Sequence, residues 1–255
     1  MRSSSPGDGP LLSIITVTRD NLDGLRATLA SVDTAIGALP NVAGAVEIVV
    51  KDGGSSDGTA AFLERVARPD IVVVTGADGG VYPAMNQALD IARGQWVLYL
   101  NAGDRLASAD VLGKLLDRID QAGDVNLIYS DTVLGRNLFR QTLSIGFLTR
   151  HMINHQTLCY RRDLLGAGYD LRYRLSADYA HLLHVYSDIR AEKLTRPISA
   201  YDTGGMSSDP RNFHVIWRER LLAVWRSPLP FLTQLRLSSR GIVMWPLQYV
   251  RAVLT

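Results

Sequence analysis

The sequence predicts an α/β fold: a mostly parallel sheet with flanking helices, a mixed second half and a C-terminal helical tail. Three observations predict it. Short β-rich apolar runs alternate with helical patterns up to Ile119, the signature of a sheet covered by helices. Those runs are continuous rather than alternating in polarity, as strands buried on both faces are. After Asn126 strand-like runs follow one another around a single helical pattern, which reads as a mixed or antiparallel region.

Taken in order, LLSIITV at 11–17 precedes a helical pattern at 21–32, and VEIVV at 46–50 precedes one at 58–66. IVVVT at 71–75 leads to a helix at 83–92, with Pro83 suited to its first turn. WVLYL at 96–100 leads to a helix at 109–119. There Ser108 suits the N-cap, and Val111, Leu112, Leu115, Leu116 and Ile119 form one apolar stripe. LIYSDTVL, LFRQTL, QTLCYRR and ISAY read as the later strands, around a helix at 177–185. Pro228 and Pro230 interrupt the helical pattern of the tail. The expected organisation is a flexible N-terminus at 1–10, one domain at 11–208 and a basic amphipathic helical extension at 209–255.

Composition narrows the function classes. With 255 residues, 47% of them hydrophobic and 20% charged, the chain has the make-up of a globular protein. A net charge of +2 gives no overall field that would recruit nucleic acid, so no nucleic-acid partner is expected. The charge is uneven, because Arg211 to Thr255 holds seven Arg and one Glu. A single cysteine, Cys159, allows neither an internal disulfide nor a Cys-rich metal centre and fits a reducing compartment. The run Leu11 to Val17 is too short for a signal peptide, and no window approaches the roughly 20 apolar residues of a membrane span. The expected location is cytoplasmic, either free or peripheral on the cytoplasmic face of the inner membrane.

Ligands of open α/β sheets bind outside the carboxyl ends of the strands. Asp52, Asp78 and Asp104 each follow a separate strand-like run, so three carboxylates should converge along one edge. A lone loop aspartate is commonly a turn residue, and Asp57 has the alternative role of capping the helix that begins at Gly58.

Four motifs in order make the chain resemble the family 2 glycosyltransferases of GT-A fold: TVTRDN from Thr16, VVKDGGSSDGT from Val49, DGGVYPAMN from Asp78 and NAGD from Asn101. The similarity covers about residues 11–207 and is greatest to enzymes of bacterial exopolysaccharide and glycolipid synthesis of the colanic-acid type. It implies an inverting hexosyl- or deoxyhexosyltransferase that carries sugar from a nucleotide-sugar donor to a glycan or glycolipid acceptor. The resemblance further implies a Mg²⁺ or Mn²⁺ ion on Asp104, assisted by Asn101. A divalent cation suits the charge that grows on a departing diphosphate. Gly103 stands where relatives often carry a second acid. Asp52 matches the base-binding acid, Asp78 and Asn86 match positions lining the nucleotide pocket, and Thr16, Thr18 and Arg19 flank base and ribose, although the usual Pro and aromatic residues are absent there. Asn86 has the alternative of an exposed helix residue.

Asp178, in RLSADYAHLL, resembles the family's catalytic acid at a helix start, a general base for the acceptor hydroxyl; Ala180 stands where some relatives carry another acid. Its alternative, or that of Ser176, is simply a helix cap. His155 and Gln156 match a His-Gln motif at the donor-sugar or acceptor wall. Tyr201 to Asp209 reads either as a loop closing over the donor or as a surface turn. In the tail, Arg236, Arg240 and Arg251 share one side of a helix among apolar residues; this suits a membrane interface, or packing on the core or another subunit. Two other classes are weighed: a sugar nucleotidyltransferase, which should carry a Gly-rich basic loop where TRDN stands, and a non-catalytic partner that keeps the fold but has lost turnover.

Overall fold

The structure is a computed structural model describing residues 9–40, 42, 44–202 and 209–239. Its first half alternates strand and helix as expected: β1 (Leu12–Thr18), α1 (Leu22–Gly37), β2 (Val46–Asp52), α2 (Thr59–Arg65), β3 (Ile71–Thr75), α3 (Val81–Ile91) and β4 (Trp96–Tyr99). Then come β5 (Arg105–Leu106), α4 (Val111–Asp120), β6 (Leu127–Tyr129), β7 (Thr132–Leu134), β8 (Asn137–Phe139) and α5 (Ile145–Leu148). The second half ends with β9 (Leu158–Arg161), α6 (Arg162–Leu165), α7 (Ala177–His184), β10 (Ala191–Lys193), β11 (Ser199–Tyr201) and α8 (Phe213–Arg226).

Seven strands form the main sheet in the order β10-β6-β9-β4-β1-β2-β3. The pairs β1–β2, β1–β4, β2–β3 and β6–β10 are parallel, and β9 runs antiparallel to both its neighbours. The continuous apolar runs are explained by cover on both faces. In β1, Leu12 and Ile14 point into one core layer and Ile15 and Val17 into the other; Trp96 and Leu98 oppose Val97 and Tyr99 in the same way in β4. Register sets the site. Thr18 pairs with Asp52 and Asp52 with Thr75, so three strand ends stand level at one edge.

Two expectations change. The run LIYSDTVL is not one strand: the chain turns at Ser130 and Asp131, and β7 joins β5, β8 and β11 in a second, four-stranded sheet. Within LFRQTL only the first residues pair, because Gln141 is buried and bonded to the Ser130 carbonyl, the Thr157 hydroxyl and the Asn154 N–H. Ser108 does not cap α4; its hydroxyl bonds the Asp110 carboxylate and the helix begins at Val111. Asp57 does act as a cap, accepting from the Thr59 N–H at 3.1 Å and also from the first N–H of α1, at Leu22, at 2.8 Å.

The tail is partly core. Ala223 and Val224 of α8, with Leu229 and Leu237, belong to the main apolar cluster. Glu219 is buried and accepts the N–H groups of Arg174 and Leu175 at 2.9 and 2.8 Å, fixing the segment that leads into α7. After the prolines the chain is helical again over 231–239. Arg240 and Arg251, and residues 203–208 of the expected closing loop, lie outside the described residues.

Candidate active site

The predicted acids meet along the edge where β1, β2 and β4 end. Around Gly53, Thr18 accepts the Gly53 N–H at 2.9 Å, and a Cβ at Gly53 would stand 2.5 Å from Asp78 Oδ2 and 3.3 Å from the Arg19 Cβ. Thr18, Arg19, Asp52 and Asp78 therefore form one cluster. The Asp52 carboxylate is buried and turned on its own loop, accepting the Ser55 hydroxyl at 2.5 Å and N–H at 3.2 Å. The buried Thr18 hydroxyl has no partner among the described residues, whereas Arg19 is exposed.

A second group lines a cavity of about 930 Å³ beside that cluster: Asn101, Asp104, His155, Gln156 and Asp178, joined by Asn21, Tyr82 and Asp202. Its floor is the NAGD turn, held down on α1 by Thr28. That hydroxyl sits 2.7 Å from the Asp104 carbonyl and accepts the Gly103 N–H at 3.0 Å. Asp104 is buried, and its two oxygens accept the Asp202 N–H and the Gln156 amide, each at 2.9 Å. Burial raises its pKa above the ordinary carboxylate range, and the Asp202 charge adds to the rise against the lowering effect of those two bonds and of His155.

The Asp202 carboxylate stands where a side chain at Gly103 would go. Gly103 has φ +107°, and a Cβ there would stand 2.5 Å from Asp202 Oδ2. Glycine is required by both conformation and space, and the missing side chain lets the carboxylate of a different strand end approach Asp104. The oxygen atoms gathered here are those of two carboxylates and the buried Asn101 Oδ1, which has no partner among the described residues. No group of three His, Cys, Asp or Glu side chains suited to a metal occurs among the described residues. An all-oxygen, partly filled set of this kind fits Mg²⁺ or Mn²⁺ completed by phosphate and water.

Across the cavity Asp178 sits in the first turn of α7 and is buried. One oxygen accepts the Tyr82 hydroxyl at 2.8 Å and the Tyr179 N–H at 2.8 Å; the other lies 3.0 Å from His155 Nδ1. His155 Nε2 is 3.1 Å from the Asn101 amide nitrogen. With Asn101 donating to Nε2, the proton belongs on Nδ1 and points at Asp178. Ser176 makes no side-chain cap bond. Asp178 takes one N–H of its own helix, but its remaining bonds tie it to α3 and to the turn His155–Thr157. Tyr82 is buried, and desolvation together with the Asp178 charge raises its pKa well above the ordinary phenol value, so it acts as a hydrogen-bond donor.

Two predicted residues stand apart from the site. Thr16 is fully buried within the sheet and its hydroxyl is committed to the Leu100 carbonyl at 2.8 Å. Asn86 is half-buried rather than exposed and clasps the backbone of Tyr169 through both amide atoms, at 2.8 Å each, so its side chain braces α3 instead of lining the cavity. Tyr82, Thr28, Gln141 and Asp202 were not singled out from sequence. Only Asp202, an acid directly after a strand-like run, carried the signal that marked Asp52 and Asp104.

Comparison with known proteins bears on the family and the fold. The profile of Glycosyl transferase family 2 matches residues 13–168. The chain is 32% identical over 188 residues to the PGL/p-HBAD biosynthesis glycosyltransferase of Mycobacterium bovis (strain BCG / Pasteur 1173P2), covering 70% of this chain and 71% of the relative. The structure of S. aureus TarS 1-349 with UDP superimposes with a TM-score of 0.68 at 18% identity, over 91% of this chain and 70% of that one. The mannosyltransferase PcManGT of Pyrobaculum calidifontis, solved with GDP-Man and Mn²⁺, has a TM-score of 0.68 at 15% identity, over 97% and 75%.

Proposed function

Since the chain belongs to glycosyl transferase family 2 and is a glycosyltransferase, we propose that it moves a sugar from a nucleotide-diphosphate donor to a glycan hydroxyl with inversion. The observation that carries this reading is the unbroken line of hydrogen bonds Asn101, His155, Asp178, Tyr82, which starts beside the Asp104–Asp202 pair and runs along the same cavity. It supports turnover over a role as a non-catalytic partner.

In the proposed reaction the acceptor oxygen attacks the anomeric carbon, the bond from that carbon to the diphosphate oxygen breaks with its electron pair leaving on the diphosphate, and the hydroxyl proton passes to Asp178. Tyr82 and His155 hold the carboxylate in position for that transfer. Asp104 and Asp202, with Asn101, would hold a divalent cation. When bound, it supplies positive charge to the diphosphate as negative charge develops there. Gln156 fixes the orientation of Asp104. The cluster of Thr18, Arg19, Asp52 and Asp78 serves the nucleoside side. Structural neighbours bind UDP, UDP-GlcNAc and GDP-Man, which supports a nucleotide-sugar donor of either base.

The acceptor is proposed to be lipid-linked. The mycobacterial relative is named for PGL/p-HBAD biosynthesis. Leu222, Trp225, Phe231, Leu232 and Leu235 are exposed on consecutive helical segments beside the exposed Arg226 and Arg236, a basic, apolar surface suited to the membrane interface. No helix among the described residues is long and apolar enough to cross a membrane.

A thermal-shift screen of UDP-, GDP- and dTDP-sugars with Mn²⁺, Mg²⁺ or EDTA tests the donor side. Stabilisation by one nucleotide class that requires metal and disappears in Asp104→Ala is expected. Asp178→Asn should retain donor binding and lose transfer by at least about a hundredfold; full transfer by that variant would remove Asp178 from its role.

A further inference from the structure

The cavity holds a cation that the reaction above does not use. Arg220 lies on α8, one turn beyond Ile216, and both line the cavity wall that carries Asp178. Its guanidinium carbon sits 5.3 Å from the centre of the Tyr179 ring and 5.4 Å from that of Trp217, with Nη2 3.5 Å from the Met152 sulfur. The Nε atom is buried and has no partner among the described residues. Neighbouring carboxylates are engaged elsewhere: Glu219 accepts two backbone N–H groups and Asp178 is bonded to Tyr82, His155 and Tyr179. Burial works against the charged form of Arg220, while the fields of Tyr179, Asp178 and Tyr82 support it.

A desolvated guanidinium without a carboxylate is costly, and two aromatic faces offset only part of that cost. A planar fork of donors facing a substrate cavity is suited to an oxyanion presented by the substrate. The position is specific. The metal-side acids Asp104 and Asp202 neighbour each other, while the carboxylate whose field reaches Arg220 is Asp178, on the side where the acceptor hydroxyl and the sugar meet.

We propose that Arg220 is an anion-recognition residue that binds a carboxylate or phosphate group carried by the transferred sugar or by the acceptor, next to the reacting centre. The proposal rests on reading this cavity as the glycosyl-transfer site, and it makes an acidic substrate the preferred one. The shared chemistry has two sources: a uronate carboxylate on the donor, or an acidic group on the acceptor.

The test uses the full chain as wild type, Arg220→Lys and Arg220→Met, with folding checked by circular dichroism. Binding of glucuronate, glucose 6-phosphate and glucose is measured by calorimetry at constant ionic strength, with Mn²⁺ and nucleoside diphosphate present and absent. UDP-glucuronate is compared with UDP-glucose in parallel. In wild type the acidic ligand should bind at least about tenfold tighter than its neutral counterpart; Arg220→Met should erase that preference and Arg220→Lys should keep part of it. Preference shown by the free sugars assigns the anion to the acceptor, and preference shown only by the nucleotide sugar assigns it to the donor. Equal binding of acidic and neutral ligands by wild type overturns the proposal. So does undiminished acidic preference in Arg220→Met, or an equal loss of affinity for nucleoside diphosphate alone, which would move the guanidinium to the diphosphate. Should Arg220→Met not fold, an undiminished preference in Arg220→Lys overturns it. If no nucleoside diphosphate binds wild type, the donor reading fails, while the free-sugar comparison still decides Arg220.

Discussion

Replacing Gly103 by aspartate would give the chain the second acid that its relatives often carry, yet the structure predicts damage. Gly103 has φ +107°, a conformation that costs a non-glycine residue about 1–3 kcal/mol. The new Cβ would also stand 2.5 Å from Asp202 Oδ2 and 3.3 Å from its Cβ and Cγ. Displacing that carboxylate adds an overpacking cost of about 1–3 kcal/mol, and a third negative charge would enter beside Asp104 and Asp202. Together these come to about 2–6 kcal/mol, and a central value of about 4 kcal/mol corresponds to a fall in Tm of about 8–16 °C for a chain of this size. Gly103→Ala should lose nearly as much, because conformation and contact act through the Cβ alone. In Gly103→Ala/Asp202→Ala the 2.5 Å contact with the carboxylate disappears, and only the conformational cost and the 3.3 Å approach to the Cβ of residue 202 remain, so a double-mutant cycle should show coupling of about 1–2 kcal/mol. Thermal unfolding with and without Mn²⁺ is the assay. A Gly103→Asp protein that melts within about 2 °C of wild type and gains affinity for Mn²⁺ would refute the claim that Asp202 already occupies that place.

Four further outcomes are expected. Asp104 has a raised folded-state pKa, so its protonated form favours folding at low pH and its ionised form costs stability as pH rises through the folded value. Asp104→Asn should therefore melt no lower than wild type at pH 7.5 while losing the Mn²⁺-induced shift, and in wild type that shift should fade on acidification from above the ordinary carboxylate pKa of about 4; a shift unchanged down to that value would contradict the assignment. Tyr82→Phe removes one of the bonds that hold Asp178 and should lower kcat about tenfold with little change in KM, read by steady-state transfer kinetics; a change confined to KM would indicate a substrate contact instead. Truncation after Asp209 would delete Glu219 and the core residues Ala223 and Val224, so it should unfold the domain. Phe231→Ser/Leu232→Ser changes two exposed side chains only, and should reduce co-sedimentation with anionic liposomes severalfold at unchanged Tm; undiminished sedimentation would set the membrane surface aside.

The order of strands and helices in the first half was legible because each element is specified locally. Continuous apolar runs bury both faces of a parallel strand, and proline, glycine and aspartate mark the turns between them. The convergence of Asp52, Asp78 and Asp104 followed from the rule that such turns lie at one sheet edge. Boundaries in the second half were less legible, since Leu127–Tyr129 and Thr132–Leu134 belong to different sheets and a break of two polar residues does not announce which partner strand each will find. Asn86 illustrates the same limit: a helix position reads as pocket or surface until the Tyr169 backbone arrives to be clasped.

By itself the sequence determined the fold class, the family and the set of acids that come to one sheet edge, because these depend on hydrophobic period, turn chemistry and short motifs. Only the tertiary structure decided how those residues serve one another. It set Asp202 beside Asp104 across 98 residues and Tyr82 on Asp178 across 96, and it left Arg220 on the cavity wall without a carboxylate partner among the described residues. Such pairings are made by packing one strand end or helix against another, and no spacing along the chain encodes them.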